Sequence, residues 1–214
     1  MAAPSAAVMD SQSVRAAETV GRATRGWDGG KKVTGRKRHI VVDTTGLLVA
    51  VLVTPASTQD RVAARSLLRR MRATAGERVR LVWVDGGYTG PLFDWARATL
   101  GLRVEVVQRP QLPYLTVLPR RWVVKRTLAW ITGNRRCVRD YERLRHHHEA
   151  MVRWSMIRIT SHRLTQPSSS ETATYILLAN PSHSLFRAAI PGDTGNIFTL
   201  PPLMEQNMIA SFTQ

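Results

Sequence analysis

The chain has 214 residues, 43% of them hydrophobic, with a formal net charge of +16, which allows one or two domains built on a real core. Its single cysteine, Cys137, excludes an internal disulfide and a multi-cysteine zinc site, and is expected to be a buried, inert thiol. Residues 1–164 hold 30 of the 31 Lys and Arg but only 12 of the 15 Asp and Glu, so the positive field belongs to that part and favours a polyanion, DNA or RNA, over a neutral or acidic partner.

Residues 4–10 form a short apolar approach to Asp10. Residues 11–37 are polar and rich in Gly, Lys and Arg, and Gly26 to Gly30 read as a loop. The β-branched runs His39–Asp43 and Leu47–Val53, separated by Thr44, Thr45 and Gly46, predict a hairpin. Both runs are apolar almost throughout, as expected of strands covered on both faces. Thr58 then offers a helix N-cap, with Asp60 at the positive helix end. The predicted helix runs to about Ala73, with Val62, Leu67, Leu68 and Met71 on an apolar side and Arg61, Arg65, Arg69 and Arg72 on a basic one.

A strand over Arg78–Val84 delivers Asp85 at its C-terminal end, where Gly86-Gly87 breaks it. Pro91 opens a helix through Leu100, and Leu102–Val107 alternates as a further strand. Pro110 and Pro113 punctuate a loop. Helices are expected from about Pro119 to Thr132 and from Tyr141 to His162, the second with a stripe of Leu144, Met151, Val152, Ser155, Met156 and Ile159. This order of elements implies an α/β domain with a mixed sheet over residues 1–164. From Thr165 the composition changes: Ser168-Ser169-Ser170 reads as a linker, Tyr175–Leu178 as a stray strand, and Pro181, Pro191, Pro201 and Pro202 interrupt the rest. Residues 165–214 are therefore expected to be an irregular, poorly ordered tail, such as a frameshifted end would leave, rather than a small extension packed on the core.

Cutting and joining phosphodiesters commonly uses two divalent metals about 3.5–4 Å apart. Mg²⁺ takes hard oxygen ligands, so such a site needs convergent carboxylates. Neighbouring strands would bring Asp10 and Asp85 to one sheet edge, and a helix packed across that edge would supply a third group. A lone aspartate at a strand end is otherwise more often a turn or cap residue.

Four phrases add to this: Asp10-Ser11-Gln12-Ser13-Val14 followed by Gly30–His39, Trp83-Val84-Asp85-Gly86-Gly87-Tyr88-Thr89-Gly90, Arg121-Trp122-Val123-Val124, and Arg135-Arg136 leading to Asp140-Tyr141-Glu142. In that order and spacing the chain resembles, over roughly residues 8–163, the catalytic part of DDE transposases of the IS-five group of insertion sequences, within the IS-four superfamily. The resemblance implies a ribonuclease-H-like fold, Mg²⁺ or Mn²⁺ as cofactor, and DNA strand cleavage followed by transfer. Asp10 and Asp85 match the first two metal-binding acids, and Arg121 matches the family's arginine one helical turn before the third. That third position carries Lys125 in place of glutamate. An ammonium group has three donors and no lone pair for a metal, so Lys125 is expected to pair with Asp10 and Asp85, to weaken metal binding and to leave little or no strand-transfer activity.

Lys31, Lys32, Arg36, Lys37, Arg38, Arg135 and Arg136 are expected to contact phosphates, giving affinity rather than sequence reading. The alternative for the first five is a solvated hairpin edge that resists aggregation. His146-His147-His148 point in different directions on a helix and read as a solvated basic face, not a metal site. Trp83, Trp95, Trp122 and Trp130 lie in apolar phrases and read as core, whereas Trp27 sits in a polar loop. Only nine residues precede Asp10, so a separate DNA-reading domain of the kind a transposase needs is expected to be missing through truncation or supplied from another reading frame. The expected partners are transposon-end and target DNA, further copies of the chain, or that N-terminal product. With no run of about eighteen apolar residues and no signal peptide, the expected location is the cytoplasm, at the nucleoid when bound. The alternative function is that of a non-catalytic basic DNA-binding protein, or an inhibitor of an intact transposase.

Overall fold

The computed structural model describes residues 4–107 and 119–165. The proline loop around Pro110 and Pro113, and the tail expected after Thr165, lie outside those residues. The apolar run that approaches Asp10 opens strand β1 (Ala6–Arg15), which continues past Asp10 through polar residues and carries it in its middle. It pairs antiparallel with β3 (Val33–Asp43), from Ala7 opposite Asp43 to Arg15 opposite Gly35. On its other edge β3 takes the short β2 (Gly26–Asp28) and β4 (Leu48–Pro55), both antiparallel. Strand β5 (Leu81–Val84) lies parallel to the first residues of β1, and β6 (Arg103–Val106) lies parallel to β5. The sheet order is β2-β3-β1-β5-β6, with β4 beside β3. One antiparallel half is thus joined to one parallel half, the mixed sheet expected of a ribonuclease-H-like fold.

Helices cover both faces, and the period-two alternation of strand side chains sorts them. Ala7, Met9 and Val41 bury against Leu67, Leu68 and Met71 of α1 (Asp60–Ala75) and Leu92 and Ala96 of α2 (Leu92–Leu100). The residues between them, Val8, Ile40 and Val42, bury against Val124, Leu128 and Ile131 of α3 (Pro119–Thr132). Cys137 of α4 (Arg135–Val138) and Val152 and Met156 of α5 (Arg145–Thr165) complete that second core. Among the described residues no helix is long and apolar enough to cross a membrane.

The expected hairpin begins earlier than its apolar run. β3 starts at Val33, and Gly26–Asp28, expected as loop, forms β2. At α1 the N-cap is Gln59, with no side-chain capping bond, rather than Thr58. Val62 is exposed, and Ala63 and Ala64 take the buried positions expected of it. The last expected helix begins later, as α5 at Arg145, which leaves Leu144 exposed before it while Val152, Ser155 and Met156 of its stripe are buried, and α4 is a short helix that the sequence did not indicate.

Candidate catalytic centre and its cations

Asp10 faces the α3 side of the sheet, because Val8 two residues before it does so. The parallel register pairs Val8 with Trp83. Carried on by two residues, it places Asp85, just beyond the end of β5, beside Asp10. Helix α3 crosses this edge. Its Val124, Leu128 and Ile131 are buried, and its middle is tied to the β3–β4 turn by Thr127 Oγ1, which donates to Gly46 O at 2.8 Å. Gly46 has φ of +91°, and a Cβ there would sit 2.9 Å from Thr127 Oγ1, so the turn accepts only glycine at this close approach. Arg126 adds a bond to Thr45 O at 3.0 Å.

This docking turns Arg121 and Lys125, one helical turn apart, toward the two aspartates. Lys125 Nζ lies 2.9 Å from Asp10 Oδ2, and Arg121 Nη2 lies 3.5 Å from Asp85 Oδ2. Each carboxylate therefore has its own cation. Lys125 does not bridge the two as the sequence suggested, although its charge still acts on Asp85. The second oxygen of Asp10 accepts the Ser11 backbone N–H at 2.7 Å. Asp85 Oδ1 accepts from Gly87 N at 3.0 Å. Burial, and next the nearby Asp10 charge, push the Asp85 carboxyl above its usual range, while Gly87, Arg121 and Lys125 pull the other way.

These donors do not fit a two-metal centre. Two carboxylates converge, one of them already bonded to an ammonium group, and among the described residues no three His, Cys, Asp or Glu side chains are placed to share an ion. Glu105, on β6, pairs with Arg103 and accepts from Trp83 Nε1 at 3.3 Å. Glu142 follows α4, where its backbone carbonyl accepts from Arg36. Neither glutamate pairs with the Asp10, Asp85, Arg121 and Lys125 group.

Three of the seven cations expected at DNA are elsewhere. Arg36 and Arg38 are fully buried and Lys37 nearly so. Arg36 pairs with Asp140 at 2.9 Å and donates to Thr24, Glu142 and Arg143. Arg38 donates to Gln12, Thr132 Oγ1 and the Cys137 carbonyl. Lys37 lies 3.2 Å from Asp60 and 3.5 Å from Asp28. Their charge is absorbed inside the domain and cannot reach a phosphate. Lys31, Lys32, Arg135 and Arg136 are exposed. Cys137 is buried as expected, and burial pushes its thiol up.

Several buried polar side chains were given no role at the site by the sequence. Tyr88 is buried below the centre, where burial, and then the charges of Asp60, Asp10 and Asp85, push its phenol well above the usual value. On the opposite face of β1, Ser11 Oγ donates to Asp60 at 3.0 Å. His39 lies 3.7 Å from Asp60 and bonds Thr54 Oγ1 at 2.9 Å. Burial pulls its imidazole down to about 4, against Asp60, which acts to raise it. His148, expected on a solvated face, is buried with Nδ1 3.1 Å from Asp140, while His146 and His147 are exposed. Trp83, Trp95, Trp122 and Trp130 are half-buried, and Trp27 is exposed.

The family model of the transposase DDE domain matches residues 2–160. Over 125 residues the chain is 30% identical to a Burkholderia cepacia protein assigned as the transposase for insertion sequence element IS402, covering 56% of this chain and 59% of that protein. The chain thus spans little more than half of that relative's length. Among solved structures, the catalytic core domain of BIV integrase aligns with a TM-score of 0.38 at 20% identity, covering 72% of this chain and 82% of that one. A chain from a simian T-cell lymphotropic virus intasome in complex with the PP2A regulatory subunit B56 gamma aligns with a TM-score of 0.48 at 15% identity, covering 93% and 68%.

Proposed function

Because the chain belongs to the family of transposase DDE domains, we propose that it is an insertion-sequence transposase domain of the IS-five group that binds DNA but has lost strand cleavage and transfer. The observation that carries this reading is the Lys125 ammonium 2.9 Å from Asp10. A metal at this corner would have to displace that ion pair and would meet a positive charge where the family places an acid. With one oxygen ligand lost and one cation gained, Mg²⁺ or Mn²⁺ binding falls below what two-metal chemistry requires. The exposed Lys31, Lys32, Arg135 and Arg136 supply phosphate contacts that need no metal. Such a domain acts at DNA in the cell interior and, in company with an intact transposase, as an inhibitor through mixed assembly.

The test is cleavage of duplexes carrying the element's ends, in Mg²⁺ and in Mn²⁺. The expected result is DNA binding with no cleavage above that of an Asp85→Ala variant. Robust cleavage that disappears in Asp85→Ala would overturn the proposal.

A further inference from the structure

Helix α1 carries its arginines in two sets with different fates. Arg70 donates to Glu149 at 2.7 Å and to Val51 O, and Arg72 to the carbonyls of Gly76, Val79 and Leu100. Those two side chains tie α1 to the rest of the domain. Arg61, Arg65 and Arg69 are exposed, spaced four residues apart, and none forms an ion pair among the described residues. Arg61 Nε donates to the side chain of Gln59, two residues earlier.

Arg65 and Arg69 are nevertheless held in place. Both guanidinium groups lie over the ring of Trp95 on α2, at 5.5 and 5.0 Å from its centroid. Trp95 is itself packed against the core. A guanidinium stacked on an indole keeps its in-plane N–H fork free, which is the geometry that binds a phosphate bidentately. The stacking also lowers the ordering cost that two free arginines would meet on binding.

The row begins at the site end of the fold. Asp60, one residue before Arg61, contacts Ser11 beside Asp10, and α2 follows the turn after Asp85. Four-residue steps advance about 6 Å along a helix, so the three arginines cover about 12 Å, the length of roughly three nucleotide steps at 3.4 Å each. The row lies on the sheet face opposite α3 and α4, and so on a different side from Arg135 and Arg136.

We propose that Arg61, Arg65 and Arg69, with Trp95 as their platform, form a phosphate-binding track for duplex DNA that leads away from the Asp10–Asp85 edge. The contacts are with the backbone, so the track supplies affinity and register without base reading. It rests on the proposed DNA-binding function and names a surface for it.

The test is fluorescence-anisotropy titration of the full chain with a labelled DNA duplex, and separately a duplex RNA, across a salt series. Arg65→Ala/Arg69→Ala is expected to weaken DNA binding about tenfold and to lower the salt-dependence slope by about 2. Arg65→Lys/Arg69→Lys keeps the charge and is expected to retain most of the slope. Arg78→Ala/Arg80→Ala, exposed at the opposite end of β5 from Asp85, serves as the control for bulk charge. Unfolding curves of all variants establish that each is folded. A loss in Arg65→Ala/Arg69→Ala no larger than in the control, or a loss confined to RNA, would overturn the track alone. A wild-type chain that binds no DNA would overturn both the track and the function beneath it.

Discussion

Asp10 and Asp140 both lean on the β1–β3 pair and both meet a cation, yet the two carboxylates do different things. Asp140 and Arg36 are completely shielded from water. Burial by itself would raise the Asp140 carboxyl, but His148, the Glu142 backbone N–H and Arg36 outweigh it and hold the group below its usual range. Asp140 also reaches β1 through its backbone: its N–H donates to Arg15 O, and its O accepts from Ala17 N at 2.7 Å. This node joins β1, β3 and the segment between α4 and α5. The Lys125 side chain keeps 28% of its exposure while Asp10 keeps 7%, and the pair joins one helix to one strand at the open edge of the sheet. The same ion-pair chemistry is thus sealed from water at Asp140 and Arg36 and partly open to it on the Lys125 side of the Asp10 pair.

Breaking the joint should have the largest effect. Asp140→Ala leaves the Arg36 guanidinium buried without its counter-ion and is expected to cost about 3–5 kcal/mol in urea unfolding. A loss below about 1 kcal/mol would show that the node behaves like a surface pair.

The polar column on the other face of β1 offers a pH test. His39 is held at about 4 in the folded domain, below the roughly 6.5 of a free imidazole, so the unfolded chain takes up the proton first. Its contribution is therefore present above about pH 6.5 and lost as pH falls toward 4, on the order of 3 kcal/mol. Asp60 faces this ring from α1 and Lys37 from β3, with Lys31 and Asp10 acting from further away. His39→Gln keeps an amide to bond Thr54 and should flatten the stability profile across that window. An unchanged slope would assign it to other groups.

The smallest change in stability belongs to the pair at the open edge. Lys125→Ala is expected to shift unfolding by no more than about 1 kcal/mol, because the Lys125 side chain is partly exposed and Asp10 still accepts from Ser11. A cost matching that of Asp140→Ala would erase the contrast between the two regions.

The motif phrases located Asp10, Asp85, Arg121 and Lys125 in the sequence, and the bounds expected for α3 agree with the structure because that segment lies between a proline and a glycine. Arg36 and Arg38 were misread for a physical reason. A charged run looks solvated unless its partners are known, and the acid that pairs with Arg36 lies 104 residues away. The same holds for His148, whose burial depends on Asp140 reaching β1, and for the start of β3, where internal polar partners replace the apolar signal of a strand. Val62 shows the limit of hydrophobicity alone: α1 turns Ala63 and Ala64 inward, and the larger residue stays outside. The basic side of α1 was legible as a row, but the division between Arg70 and Arg72, bonded to the fold, and Arg65 and Arg69, stacked on Trp95, was not.

The most direct test of the central claim is calorimetric titration of Mn²⁺ into the wild-type chain and into Lys125→Glu. The substitution removes the ammonium from Asp10 and returns a third carboxylate to the corner between Asp10 and Asp85. The account predicts negligible Mn²⁺ uptake by the wild type and at least about a tenfold gain in affinity for the variant, a gain lost again when Asp85→Ala is added. Equal, tight binding by both proteins would mean that Lys125 does not occupy the metal corner, and the reading of this domain as a disabled transposase centre would be wrong.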